Sequence, residues 1–196
     1  MRIPVVDNGG QWTHREWRVL RDLGVETEIV PNTMPLERMR ADGVVLSGGA
    51  LSLEGGETTL GAVEGWIDSA RVPVLGICVG HQFLARHFGG RVARGAPEFG
   101  RIEVVIDEPS HPLFAGLPSP FRAWSSHNDH VVALPPGWLR LAHSPACPVQ
   151  AMAHPDRPIW GVQFHPEVEP TDHGVELFRR FLALVERRAT PPGGDK

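Results

Sequence analysis

The sequence predicts an α/β fold: an open, largely parallel mixed sheet with helices on both faces and an antiparallel extension. Three observations carry this. Short β-rich runs alternate with helical segments through the first half of the chain, the order that builds parallel βα units. Two of these runs lead into glycine-rich turns, Ser47-Gly48-Gly49 and Gly76-Ile77-Cys78-Val79-Gly80, as strands do at the ligand-binding edge of such sheets. The second half instead strings short strands together with turn residues between them, which reads as antiparallel pairing.

Taken in order, residues 3–6 read as a strand ended by Asp7-Asn8-Gly9-Gly10. A helix over 12–23 follows, with Val19, Leu20 and Leu23 on its inner side and Trp12 and Glu16 outside. It stops at Gly24, a natural helix terminator. Strands are predicted at 25–30, 44–46 and 72–78, and helices at 35–40, 59–70 and 79–88. Further strands are expected at 101–106, 121–124, 130–133, 139–143, 149–152 and 159–163. A closing helix over 172–187 presents Val175, Leu177, Phe178, Phe181, Leu182 and Val185 on its apolar side. The expectation is one domain over 1–188 and a disordered tail over 189–196, where Pro and Gly cluster.

Bulk properties narrow the function. The 196 residues suit one well-buried domain, and 41% hydrophobic with 21% charged residues fits a globular chain. A net charge of -4 gives no electrostatic reason to expect nucleic acid or an anionic membrane as partner. No signal peptide and no membrane span are expected. The two cysteines, Cys78 and Cys147, sit in unrelated contexts, which points away from a disulfide framework and toward a reducing cytoplasm.

The chemistry concentrates at Gly-x-Cys-x-Gly around Cys78. A buried strand enters it and a helix leaves it at once, which makes it the cysteine counterpart of a nucleophile elbow. Gly76 and Gly80 leave room for a sharp turn that projects the sulfur above the sheet edge. The following helix N-terminus favours the attacking thiolate, and the Val79 amide points where an oxyanion forms. A thiol nucleophile needs a base, and the base an orienter. Among ten histidines, only His165 stands in a setting that supplies both, because Glu167 can turn back across Pro166 to hold the imidazole. The turn after the strand at 44–46 exposes backbone N–H groups, and Gly49 can supply a second oxyanion donor. Ser47 to Ser52 superficially matches an ATP-pyrophosphatase loop. Leu51 stands where that loop needs Asp, and there is no Walker A sequence, so no ATP site is expected here. His127, Asp129 and His130 lie close in sequence, yet no metal site is expected. Cys147 reads as an inert bystander, and the six tryptophans as scattered core or surface anchors.

These pieces, in this order and over nearly the whole chain, resemble the class I (triad-type) glutamine amidotransferases, whose sheet is flavodoxin-like. Within that class the chain looks most like the stand-alone amidotransferase subunits of archaeal GMP synthases. The residues that carry this include Asp7-Asn8-Gly9-Gly10-Gln11, Phe99-Gly100-Arg101-Ile102-Glu103 and Ser126-His127-Asn128-Asp129. The resemblance implies a catalytic triad of Cys78, His165 and Glu167 and an oxyanion hole of Gly49 and Val79. It implies that Gly48, Gln82 and a loop of Ser126, His127, Asn128 and Asp129 hold the amino-acid end of glutamine. It implies ammonia delivery to a separate ATP-pyrophosphatase subunit that carries ATP and Mg2+ and aminates xanthosine monophosphate, with no cofactor in this chain. Two positions depart from the family: Ala50 replaces the usual Pro, and Asn128 the usual Gly. Asn tolerates the left-handed backbone region best among non-glycine residues, so that loop is expected to keep its shape. The rival readings are the amidotransferase subunit of anthranilate or aminodeoxychorismate synthase and a catalytically silent glutamine-binding regulatory module.

Overall fold

A computed structural model describes residues 1–54 and 59–189. Its elements run β1 (Val5–Asp7), α1 (Thr13–Asp22), β2 (Ile29–Pro31), α2 (Leu36–Met39), β3 (Val44–Leu46), α3 (Val63–Trp66) and β4 (Val74–Ile77). They continue with α4 (Val79–His87), β5 (Arg91–Ile106), β6 (Phe121–Ala133), β7 (Leu139–His143), β8 (Ala151–Ala153), β9 (Ile159–Val162) and α5 (Gly174–Ala189). Among the described residues the strands form one nine-stranded sheet in the order β2-β1-β3-β4-β9-β8-β7-β5-β6. Strands β2, β1, β3, β4 and β9 pair in parallel, and β8, β7, β5 and β6 extend the sheet antiparallel.

Alternation along each parallel strand feeds two cores. Val5, Val45, Leu75, Ile77, Trp160 and Val162 face the layer that holds Leu20 of α1 and Leu177, Phe178 and Phe181 of α5. Val6, Val44, Leu46, Val74 and Ile159 face the opposite layer, with Met39, Val63, Trp66, Phe83 and Leu84 from α2, α3 and α4. Because successive side chains of a strand point to opposite faces, these near-continuous apolar strands require helices on both sides. Burying a Leu or Phe of this kind contributes about 1.5–3 kcal/mol.

The chain leaves β1 for β2 on one side and returns through β3 on the other. The C-terminal ends of β1 and β3 therefore flank a topological switch point, where such sheets bind ligands. The Gly9-Gly10 and Gly48-Gly49 backbones meet there. A Cβ on Gly10 would lie 2.6 Å from the Gly48 carbonyl oxygen, and one on Gly49 2.5 Å from that of Asn8.

Several boundaries differ from the sequence reading. The helix expected over 59–70 shrinks to α3, because Gly61 takes φ +63° and cannot be helical. The strand expected over 25–30 is confined to β2. The strands at 121–124 and 130–133 are one continuous strand, β6, so Ser126–Asp129 is not a loop: Ser126 pairs with Phe99, His127 with Glu98 and Asp129 with Arg94, and Asn128 stands at the register shift between the last two. Asn128 consequently needs no left-handed backbone, and positive φ among non-glycine residues is confined to Arg40, Cys78 and His173 among the described residues. The tail expected over 189–196 lies outside the described residues except for Ala189, which ends α5. Among the described residues no helix is long and apolar enough to cross a membrane.

Candidate active site

Strand β4 delivers Cys78 to the C-terminal edge of the sheet, and α4 begins at the next residue. Cys78 takes φ +50° and ψ −104°, a backbone conformation that L residues adopt only when the surroundings enforce it. The enforcing contacts are steric. A Cβ on Gly76 would meet the Gly80 carbonyl carbon at 2.6 Å, and one on Gly80 would meet the Leu46 carbonyl oxygen at 2.4 Å. Both glycines are thus required for β4, α4 and β3 to close around the cysteine. Val79, as the first residue of α4, has an N–H with no acceptor inside the helix.

His165 follows β9 and is fixed by its backbone. Its N–H donates to the Trp124 carbonyl at 2.9 Å, and its carbonyl accepts from Thr171 Oγ1 at 2.6 Å. The ring is held on one side: Nδ1 meets Glu167 Oε1 at 2.7 Å, and His165 shares a cavity with Cys78. Trp12 packs edge-on against the imidazole, with ring centroids 4.4 Å apart. Burial alone would lower the proton affinity of this histidine. The Glu167 carboxylate and the Cys78 sulfur outweigh burial and hold its pKa well above the ordinary value. Two other buried histidines go the opposite way: burial holds His81 at about 3 and lowers His130. Of these three histidines, His165 is the one whose surroundings favour the protonated ring.

The turn after β3 sits beside this dyad. Had Gly48 a Cβ, it would lie 3.3 Å from His165 Cε1 and 3.5 Å from Cys78 Cβ. Two cavities meet over Cys78, sharing Gly49, Ala50 and Ser126. One, of about 320 Å³, opens toward Trp12, Glu16, His165 and Glu167. The other, of about 330 Å³, runs between the turn and β6; both are in the size range of small-molecule sites. Gln82, Ser126, His127, Asn128 and Asp129 all line the second cavity, as does Val79.

Their parts in it differ. Gln82 uses its side-chain N–H groups on the Asp129 carbonyl at 2.7 Å and on Gln163 Oε1 at 3.1 Å, so it ties β6 to the elbow. Gln163 in turn approaches the Cys78 sulfur at 3.7 Å. His127 is buried, and its Nε2 contacts Glu98 Oε2 at 3.0 Å. Ser144 and Gln150 donate to the same carboxylate at 2.6 Å each. Burial pushes the Glu98 carboxyl up, but the hydrogen bonds and the nearby His127 outweigh it and hold the pKa below the usual range. Glu98, His127 and Cys147 stand close enough to share an ion; hydrogen bonds already engage both oxygens of Glu98. Burial lifts the Cys147 thiol to about 12.

Sequence reasoning misses three residues beside Cys78 or on the cavities around it. The helical pattern puts Glu16 on the outside of α1; it is 1% exposed and lines the cavity of Cys78, His165 and Glu167. Its polarity hides it, although Thr13, Glu16 and Leu20 fall on one helical face. Gln163 lies two residues before His165, and nothing in its local pattern gives it a role. Arg94, with Glu54 opposite, brings charge to the second cavity. Only its place in a hairpin next to β6 could have signalled this.

Known proteins show the same arrangement of family and fold. The family model "Glutamine amidotransferase class-I" matches residues 4–185. A glutamine-hydrolyzing GMP synthase subunit from Thermoplasma volcanium is 50% identical, covering 95% of this chain and 93% of its own. Its counterpart from Thermococcus kodakarensis is 49% identical, covering 93% of this chain and 97% of its own. The crystal structure of the corresponding GMP synthase subunit from Thermoplasma acidophilum superposes with a TM-score of 0.90 at 47% identity over 96% of each chain. A glutamine amidotransferase from Thermotoga maritima shares the fold, with a TM-score of 0.71 at 22% identity over 96% of this chain and 83% of its own. The chain belongs to the class I glutamine amidotransferases.

Proposed function

We propose that this chain is the glutamine-hydrolysing subunit of a two-subunit GMP synthase, in which Cys78, His165 and Glu167 form the catalytic triad. The observation that carries the chemistry is that Cys78, at a strained elbow, shares one cavity with His165 and Glu167, which meet at 2.7 Å. The acceptor is inferred from the relatives, which carry the name of the glutamine-hydrolyzing GMP synthase subunit at 43–50% identity over 93–95% of this chain.

Glutamine enters the second cavity with its side-chain amide over Cys78. Arg94 supplies a positive charge for the α-carboxylate, and Glu54 and Asp129 supply negative charge for the α-ammonium. The Cys78 sulfur attacks the amide carbon, and the Gly49 and Val79 N–H groups receive the oxyanion, each worth about 3 kcal/mol in comparable sites. His165 gives its proton to the departing nitrogen, which leaves as ammonia while the carbonyl re-forms as a glutamyl thioester. His165 then takes a proton from water, whose oxygen attacks the thioester. Glutamate leaves and the thiol is restored. Glu167 keeps the ring in one tautomer and compensates the imidazolium charge.

Ammonia passes to a separate ATP-pyrophosphatase subunit, which binds ATP and Mg2+ and activates xanthosine monophosphate; this chain needs no cofactor and works in the cytoplasm. An efficient free glutaminase would waste glutamine, so docking of the loaded partner raises the rate. The test is glutaminase activity of the lone chain against the chain with that partner, ATP and xanthosine monophosphate. Stimulation supports the reading; a lone chain already at full rate and indifferent to the partner overturns it.

A further inference from the structure

Glu16 is 1% exposed, a rare state for a glutamate, and nothing in the triad chemistry uses it. Its Oε1 accepts the Gly48 N–H at 3.3 Å. Its Oε2 is buried and has no hydrogen-bond partner among the described residues, and it stands on the cavity shared with Cys78, His165 and Glu167. On the far side of Gly48 a second tie exists. Ser47 Oγ donates to the Gly48 carbonyl at 2.9 Å and itself accepts the Asn8 N–H at 2.9 Å.

A trans peptide is planar, with its C=O and N–H pointing in opposite directions. With the Gly48 carbonyl held by Ser47, the Gly49 N–H of the same peptide is turned away from Ser47, in a turn that lines both cavities over Cys78. Two adjacent glycines rotate freely unless their peptides are tied. Ser47 ties the peptide after Gly48, and Glu16 ties the peptide before it. We propose that Glu16 is a positioning residue for glutamine hydrolysis, whose carboxyl pins the Ser47–Gly48 peptide so that the Gly49 N–H meets the oxyanion. The inference rests on the glutaminase reading above.

The charge state fits this role. The groups facing Glu16 are Glu167, His165 and Cys78. Burial and the Glu167 charge hold the Glu16 carboxyl well above its ordinary pKa, against the opposing pull of the Gly48 N–H and His165. An uncharged carboxyl accepts the Gly48 N–H without setting a second negative charge beside the attacking sulfur. A glutamine side chain can do the same.

The test compares Glu16→Gln and Glu16→Ala in the chain together with its synthetase partner. Glutamine turnover is measured as kcat and KM, and Cys78 alkylation by iodoacetamide is measured across pH. Alkylation forms a carbon–sulfur bond as iodide leaves and develops no oxyanion, so it reads the sulfur alone. Glu16→Ala is expected to lower kcat by about 10- to 100-fold, short of the full loss of an oxyanion donor. KM and the alkylation rate should stay within about threefold, and Glu16→Gln should restore kcat to within about threefold of wild type, a margin small beside the loss of a donor. The role is overturned if Glu16→Ala turns over like wild type, if folded Glu16→Gln is as slow as Glu16→Ala, or if alkylation falls in parallel with turnover. If Glu16→Ala does not fold, Glu16→Gln decides alone: near wild-type kcat supports the role, and a folded but slow protein overturns it. A wild-type complex that fails to hydrolyse glutamine overturns the glutaminase reading itself.

Discussion

Replacing Gly80 by alanine tests whether packing builds the elbow. The new Cβ would lie 2.4 Å from the Leu46 carbonyl oxygen and 2.9 Å from Leu46 Cβ, where ordinary contact begins at 3.4 Å. The obstacle is strand backbone that is itself paired with β1 and β4, so α4 has to retreat by about 1 Å. Overpacking of this kind costs about 1–3 kcal/mol. The first turn of α4 carries Val79, and a displacement near 1 Å costs about 100-fold in rate. Gly65→Ala is the control, since nothing lies within 4 Å of its Cβ in α3; there alanine should be neutral or stabilise by about 0.5–1 kcal/mol. The assays are Tm and glutaminase kcat/KM with the partner present. Gly80→Ala with wild-type Tm and kcat/KM would refute the steric account.

Other consequences can be checked directly. A glutamine-analogue diazo-ketone should label Cys78 and spare Cys147, whose thiol burial lifts to about 12; peptide mapping that finds the label on Cys147 would contradict this. Glu16, as a carboxyl with a raised folded pKa, contributes stability below its ordinary value of 4.5 that is lost as pH rises through the folded value. The Tm of Glu16→Gln should therefore gain on wild type as pH rises above the ordinary carboxyl value of 4.5, and parallel curves would count against a buried neutral acid. Glu98 has the opposite sign: its folded pKa is depressed below 4.5, so its stabilisation is present at neutral pH and lost as pH falls through the folded value. Glu98→Gln turns an amide NH2 toward a donor and should cost about 1–3 kcal/mol at neutral pH, with the gap to wild type closing in acid; an undiminished gap would refute the depressed carboxyl.

What is legible in the sequence follows from what leaves a residue-level trace. The elbow is legible because its crowding admits only glycine at positions 76 and 80. The parallel strands are legible because burial on both faces demands unbroken apolar runs, as in Val44–Leu46. Glu16 escapes because a buried carboxyl and a solvated one look alike in a helical pattern; only the partner at Gly48, 32 residues away, distinguishes them. Residues 126–129 read as a loop because the run is polar throughout although it lies in a continuous strand paired with β5, where buried His127 is matched by Glu98. The helix at 59–70 is overextended because the cost of Gly61 at φ +63° is set by its contact with the Asn32 backbone, which is remote in sequence.

The most direct test of the central claim is Cys78→Ala in the assembled synthetase. Glutamine-dependent synthesis should vanish while ammonia-dependent synthesis by the partner continues at the wild-type rate, because the variant removes the nucleophile and leaves the acceptor site untouched. A Cys78→Ala complex that still used glutamine at near wild-type rate would contradict the assignment of Cys78 as the attacking group.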